Sequence, residues 1–190
     1  MRAVRILSGA ILGLMMILIG TMVPTGFLAP SVNSLANIIS LKSSLQIPSV
    51  LVSGIVLGPR TAVLSSIAYL TIGLFYLPIF QGGGSIGYVI TPGFGYLVGF
   101  IPAAFITGKL SQRKKKNPLI FFTKISIVGL LVIHVTGIIN LILGGLLQLW
   151  GGSMTELIFL YGFSPFLHQL ILCPAIALFS ISIKKVLFIK

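Results

Sequence analysis

Long apolar runs, broken by glycine, proline and short basic segments, make up this chain. Residues 6–23 form the first, eighteen positions without a charge, about what a hydrocarbon core of roughly 30 Å asks of a helix. Residues 24–48 are only partly apolar and carry one charge, Lys42; a connection of that length is expected to be a functional lid or disordered. Its end, Ser43-Ser44-Leu45-Gln46-Ile47-Pro48, leads into a second helix that stops at Gly58-Pro59-Arg60. That helix is short for a complete span, so the preceding loop is expected to dip into the membrane region. Residues 61–76 form the third span, stopped by Leu77-Pro78, and residues 93–110 the fourth. The fifth, residues 119–150, is longer than one span requires, which predicts tilt or protrusion. After a weakly charged loop over 151–162, Ser164 as N-cap and Pro165 at the first helical position are expected to open a last span ending near Ile183. The pattern predicts an all-α integral membrane protein with six transmembrane helices, a single membrane domain over residues 1–190.

The stretch 77–110 stands apart. An uncharged glycine-rich loop, Gln81 to Gly87, runs into Thr91-Pro92-Gly93 and then an apolar helix with Gly95, Gly99 and Ala103 at four-residue spacing. That spacing sets the three small residues on one face, where another helix can approach closely. In lipid, irregular backbone survives only where it is buried in protein or lines a cavity, so this loop is a candidate floor or wall of a binding site. On the first helix, Gly9, Gly13 and Gly20 share a narrow arc. Tight packing within the chain's own bundle is one reading of that arc, and a docking face for another membrane protein is the other.

Charge sharpens the picture. Mean hydropathy is +1.15, and Glu156 is the only acidic residue against thirteen Lys and Arg. No soluble domain could be surfaced from this inventory. The net charge of +12 does not point to nucleic acid, because the basic residues sit in short segments between apolar runs, the arrangement that orients a protein in a bilayer. Arg2, Arg5, Arg60, the 109–116 cluster and the C-terminal lysines fall on one side of a six-span topology, and Lys42 and Glu156 on the other. Both termini are therefore expected in the cytoplasm of a cell whose plasma membrane holds the chain. The three neutral loops, 24–48, 77–92 and 151–164, are expected to converge outside over a cavity. The basic leader 1–5 and the first apolar run are not a secretory signal, whose apolar core is about 7–15 residues long.

Much chemistry is excluded. Cys173 is alone, so an intrachain disulfide or thiolate cluster cannot form, and His134 and His168 stand far apart with no carboxylate nearby, so no metal site is expected. Thr107-Gly108-Lys109-Leu110 lacks the remaining elements of a Walker sequence, and with Glu156 the only acid a Ser-His-acid set is not expected. No catalytic residue, metal or cofactor is expected. Nor does a carboxylate stand in a predicted span to couple protons, so transport would be passive or driven from elsewhere.

Ser44-Leu45-Gln46, Leu57-Gly58-Pro59-Arg60, Tyr69-Leu70, Gly73, Leu77-Pro78-Ile79-Phe80, Gly82-Gly83-Gly84 and the run from Thr91 to Phe100 occur in that order. Together they resemble BioY, the biotin-binding S component of energy-coupling factor transporters, closely over about residues 40–112 and by layout elsewhere. The resemblance implies a six-helix subunit that captures biotin under a lid of external loops. It implies as partners a membrane coupling subunit and two cytoplasmic ATPases, with Gly9 and Gly13 docking the coupling subunit. Many members carry an Asp and, three residues later, a Lys near the start of the last helix; here Gln169 and Leu172 stand there. Gln can still serve a ureido group, whereas Leu cannot pair with a carboxylate. A relative of biotin, another vitamin, or a non-transport assembly role are the competing readings. Gln46, Gln81, the backbone of Gly82, Gly83 and Gly84, and Gln169 are the candidate hydrogen-bonding groups, with Tyr69, Tyr88 and Tyr96 as apolar walls with polar tips.

Overall fold

The computed structural model describes residues 2–31, 34–113, 116–151 and 153–187. Lys114, Lys115 and Lys190, used above for orientation, lie outside them, as do the side-chain placements of Arg2 and Lys42.

Six helical passes build an all-α membrane bundle. They are α1 (Arg2–Met22), α2 (Gln46–Leu57), α3 (Pro59–Phe75), the pair α4 (Phe94–Val98) and α5 (Phe100–Ser111), α6 (Pro118–Leu146), and a continuous last pass made of α7 (Met154–Leu157), a π-helical turn (Ile158–Phe163) and α8 (Ser164–Val186). Four passes are long and apolar enough to cross a bilayer. α2 and α3 are shorter, 12 and 17 residues.

α2 is the buried centre of the bundle. Ten of its twelve residues are buried, with Val50, Leu51 and Ile55 almost wholly inaccessible. It ends at Gly58, whose φ of 84° suits glycine alone. Pro59 then opens α3 at its first position, where the missing N–H is harmless. α1 instead turns Leu7, Ile11, Met15 and Ile19 outward, as lipid contact demands.

The glycines of α1 face inward. A Cβ on Gly9 would stand 2.8 Å from Thr61 of α3, one on Gly13 would strike Ser65, and one on Gly20 would strike Ser49 of α2. Ser65 Oγ donates to Ala10 O at 2.9 Å across that contact. Of the two readings of that arc, these contacts favour packing within the chain's own bundle over an outer docking face at Gly9 and Gly13. The stripe on the fourth pass also meets a helix, since Gly95 packs on Asn140 and Gly99 on Thr136 of α6, and Ala103 is fully buried.

Two further readings change. The connection after α1 is not shapeless: β1 (Pro24–Ser31) and β2 (Ser34–Ser44) pair antiparallel, in a register that sets Phe27 opposite Ile39 and Leu28 opposite Ile38. Leu45 N donates to Val23 O at 3.0 Å, which brings the end of α1 to the start of α2. The last pass opens eleven residues earlier than its proline suggested. Ser153, not Ser164, is the N-cap, accepting from Glu156 N at 3.3 Å, and Ser164 itself is helical. Pro165 cannot donate to the carbonyl one turn earlier, and the widened π-helical turn ends beside it.

The ends sort by charge. Gly9 lies against Thr61, Gly108 against Pro59, and Lys184 Nζ sits 5.0 Å from the Phe122 ring. These contacts gather the start of α1, the α2–α3 corner, the end of α5, the start of α6 and the end of α8, and with them Arg5, Arg60, Lys109, Arg113, Lys116 and the Lys184–Lys185 pair. At the opposite end, Ser44 Oγ donates to Gln81 Oε1 at 3.4 Å and Trp150 Nε1 to Ile90 O at 2.6 Å. The three neutral loops thus meet.

Gly13→Leu should lower stability by about 1–3 kcal/mol through overpacking against α3. Gly151→Leu should be near neutral, because nothing lies within 4 Å of a Cβ there. Thermal unfolding of the two purified variants in detergent checks this; equal midpoints would show that the α1–α3 contact yields freely.

Candidate functional site

A cavity of about 600 Å³ opens at the neutral end. Its walls come from the end of β2 and the start of α2 (Ser44, Gln46, Ile47), the 77–92 segment (Gln81, Tyr88), α4 and α5 (Tyr96, Leu97, Phe100), α6 (His134), the π-helical turn (Leu160, Tyr161) and α8 (Ser164, His168, Gln169). Among the described residues lining it there is no Asp, Glu, Lys or Arg.

Gln46 is placed by Tyr69. The Tyr69 ring is fully buried; its hydroxyl accepts from Gln46 Nε2 at 2.8 Å and donates to Ile79 O at 3.0 Å, with Thr21 Oγ1 3.1 Å away. Tyr69 therefore stands behind the wall and holds it, rather than forming part of it. Phe80 packs edge-on against Tyr69 (centroids 5.4 Å apart) and fills the space left by Gly73, where a Cβ would strike its ring.

The 77–92 segment turns on its glycines. Phe80 and Gly83 exchange backbone hydrogen bonds of 2.8 and 3.0 Å around Gln81 and Gly82. Gly82 and Gly83 have φ of 97° and 132°, and neither has a neighbour within 4 Å of a Cβ position. Gly84 is pressed on the backbone of Pro78 and Gly73. Gly82, Gly83 and Gly84 do not line the cavity; they make a tight turn that presents Gln81. Tyr88 OH donates to Gln81 O at 3.0 Å, and burial raises the Tyr88 phenol above its ordinary range, so it stays protonated as a donor. Trp150 on Ile90 and Asn140 Nδ2 near Thr91 O and Pro92 O (3.5 and 3.4 Å) pin the far end of the segment to α6 and to the residues just after it. Asn140 is thus an anchor of the loop, and Gln148 lies beyond α6 with φ of 53°.

Among the described residues, four buried side-chain polar atoms have no hydrogen-bond partner: Tyr96 Oη, His134 Nε2, Gln169 Oε1 and Ser180 Oγ. The first three belong to cavity-lining residues. The Tyr96 ring packs on Gly137, and the His134 ring is held edge-on between Tyr96 and Phe166, at 5.5 and 5.0 Å between centroids. Gln46, Gln81, Tyr88, Tyr96 and Gln169 are brought together as the sequence suggested. His134, Tyr161 and Phe100 were missed, and His168, on the same turn as Gln169, also lines the cavity. The signal for His134 was its place in an apolar helix, where a polar side chain faces the bundle or a cavity. Leu172 does not line the site.

A second hollow of about 510 Å³ lies at the basic end, where α5 meets α6, with Arg113, Lys116 and Lys124 among mostly apolar residues. It contains none of the unpartnered buried atoms.

Known proteins share this architecture. A crystal structure of an S-component for biotin from an ECF-type ABC transporter superposes with a TM-score of 0.67, covering 100% of this chain and 93% of that one at 22% identity. A probable biotin transporter BioY of Lysinibacillus sphaericus is 39% identical over 95 residues, 50% of this chain and 48% of that protein. The biotin transporter BioY of Rhodobacter capsulatus is 30% identical over 100 residues, 51% and 53% of the two chains. The chain thus spans about half the length of these curated relatives in the matched region. The BioY family model matches residues 5–188, nearly the whole chain, and this protein belongs to the BioY family.

Proposed function

We propose that this protein is the substrate-binding membrane subunit that captures biotin for an ECF-type transporter. The cavity carries the reading. It sits at the end of the bundle away from the basic residues, and it offers amides, hydroxyls and imidazoles with no charge among its described residues. A ureido ring is planar and neutral, with two donors and one acceptor, and such a lining meets it without burying an ion. Gln46, Gln81 and Gln169 supply amide groups, and Tyr88, Tyr96 and Phe100 supply ring surface for the thiophane and the chain.

The ligand's carboxylate finds no Lys or Arg among the described cavity residues, so it belongs at the mouth, toward water. A relative of biotin without a free acid is the second reading, favoured by the same absence. The chain shows no nucleotide-binding sequence, which is consistent with a coupling subunit and two ATPases supplying the drive. The coupling subunit would meet a surface other than the Gly9–Gly13 arc. By the positive-inside rule the basic end faces the cytoplasm, placing both termini inside and the cavity mouth outside a plasma membrane.

Equilibrium binding of biotin and a panel of other vitamins to the purified protein tests the function; no biotin binding, or tighter binding of an unrelated vitamin, would overturn it. Gln169→Leu should weaken biotin by about tenfold or more, the cost of one hydrogen bond in a dry site, and Gln81→Ala by less, since Gln81 is exposed. Unchanged affinity in Gln169→Leu would remove that residue from the site. For orientation, a cysteine at Gln112 in a Cys173→Ala background should resist a membrane-impermeant thiol reagent in intact cells. Labelling there would reverse the topology.

A further inference from the structure

His134 is not needed for packing as a polar residue, since its neighbours are the rings of Tyr96 and Phe166 and a phenylalanine would fill the same space. Its Nδ1 lies 3.0 Å from Leu130 O. A carbonyl only accepts, so Nδ1 carries the hydrogen there. Among the described cavity residues no carboxylate stands by to stabilise an imidazolium, and an unpaired buried charge is costly. The ring is thus neutral and its Nε2 is a lone-pair acceptor. That atom is buried and unpartnered, the residue only 4% exposed. Leaving such a group unpaired carries a desolvation cost, which a ligand N–H would relieve.

Gln169 Oε1 is a second unpartnered acceptor, and Tyr96 Oη a hydroxyl free to donate. Two acceptors and one donor are the complement of a cyclic urea, with its two N–H groups and one carbonyl.

Resting on the biotin reading, we propose that His134 is a specificity-determining residue: its Nε2 accepts one ureido N–H, Gln169 Oε1 accepts the other, and Tyr96 donates to the carbonyl. The Leu130 carbonyl acts as a lock on this specificity, since it holds the imidazole in the one tautomer that can accept from the ligand. The site then distinguishes a urea from a ring that lacks a donor at that edge.

The test measures affinity for biotin and for two lactam analogues, each with one ureido N–H replaced by CH2, in the parent protein, His134→Phe and His134→Gln. In the parent, the lactam lacking the N–H that faces His134 should bind about ten- to a hundredfold more weakly than biotin. His134→Phe should lose a similar factor for biotin while no longer separating biotin from that lactam by more than about threefold. His134→Gln, whose amide oxygen can stand near the Nε2 position, should recover most of the discrimination. A parent that binds biotin and both lactams equally overturns the assignment without any variant. So does His134→Phe with parental affinity, which would mean that water satisfies Nε2. A parent that holds no biotin overturns the function itself, a result distinct from either.

Discussion

The Tyr69 hydroxyl is the joint on which the neutral end of the bundle depends. Through Gln46 it reaches the start of α2, through Ile79 the segment after α3, and through Thr21 the last turn of α1. Water cannot repair a broken polar contact inside a bilayer, where an unsatisfied group costs several kcal/mol. A hydroxyl that satisfies three segments at once therefore fixes their relative positions more strictly than apolar contact can. Phe80 against Tyr69 and in the gap at Gly73 adds shape to that joint. The glycine turn that follows has freedom to present Gln81 because its base is held.

Close helix approach is the second constraint. With lipid outside, burying apolar surface gives helices little reason to associate, so contact depends on backbones coming near enough for dispersion and for hydrogen bonds such as Ser65 to Ala10. Gly13 against Ser65, Gly99 against Thr136 and Gly129 against Thr107 and Leu51 are of this kind. The same economy of side chains shapes the cavity. Gly137 leaves room for the Tyr96 ring, and Tyr96 in turn steadies His134.

The bundle was legible in the sequence because length and hydropathy dictate spans almost directly, and five residues of the cavity wall, Gln46, Gln81, Tyr88, Tyr96 and Gln169, were legible because large uncharged polar groups are scarce in such a chain. The rest failed for physical reasons. The hairpin of residues 24–44 shows no clean alternation, since Ile38 and Ile39 are adjacent. Pro165 reads as a helix start, and a π-helical turn let the helix run past it. The arc of Gly9 and Gly13 is visible in one dimension, but which neighbour fills it is a property of three. His134 carries no metal-site signal in the sequence, because no carboxylate or cysteine stands near it, and the lone pair it leaves buried is visible only in three dimensions.

The shortness of α2 carries one more consequence. Twelve residues span about 18 Å, against a hydrocarbon core of roughly 30 Å. Gln46 opens that helix and lines the cavity, while Gly58 at its other end adjoins the basic side. The helix at the centre of the bundle is thus about 12 Å shorter than the apolar layer around it, and the hollow beside Gln46 lies at one end of that short helix. What closes the hollow toward the basic side is a plug little more than three helical turns thick.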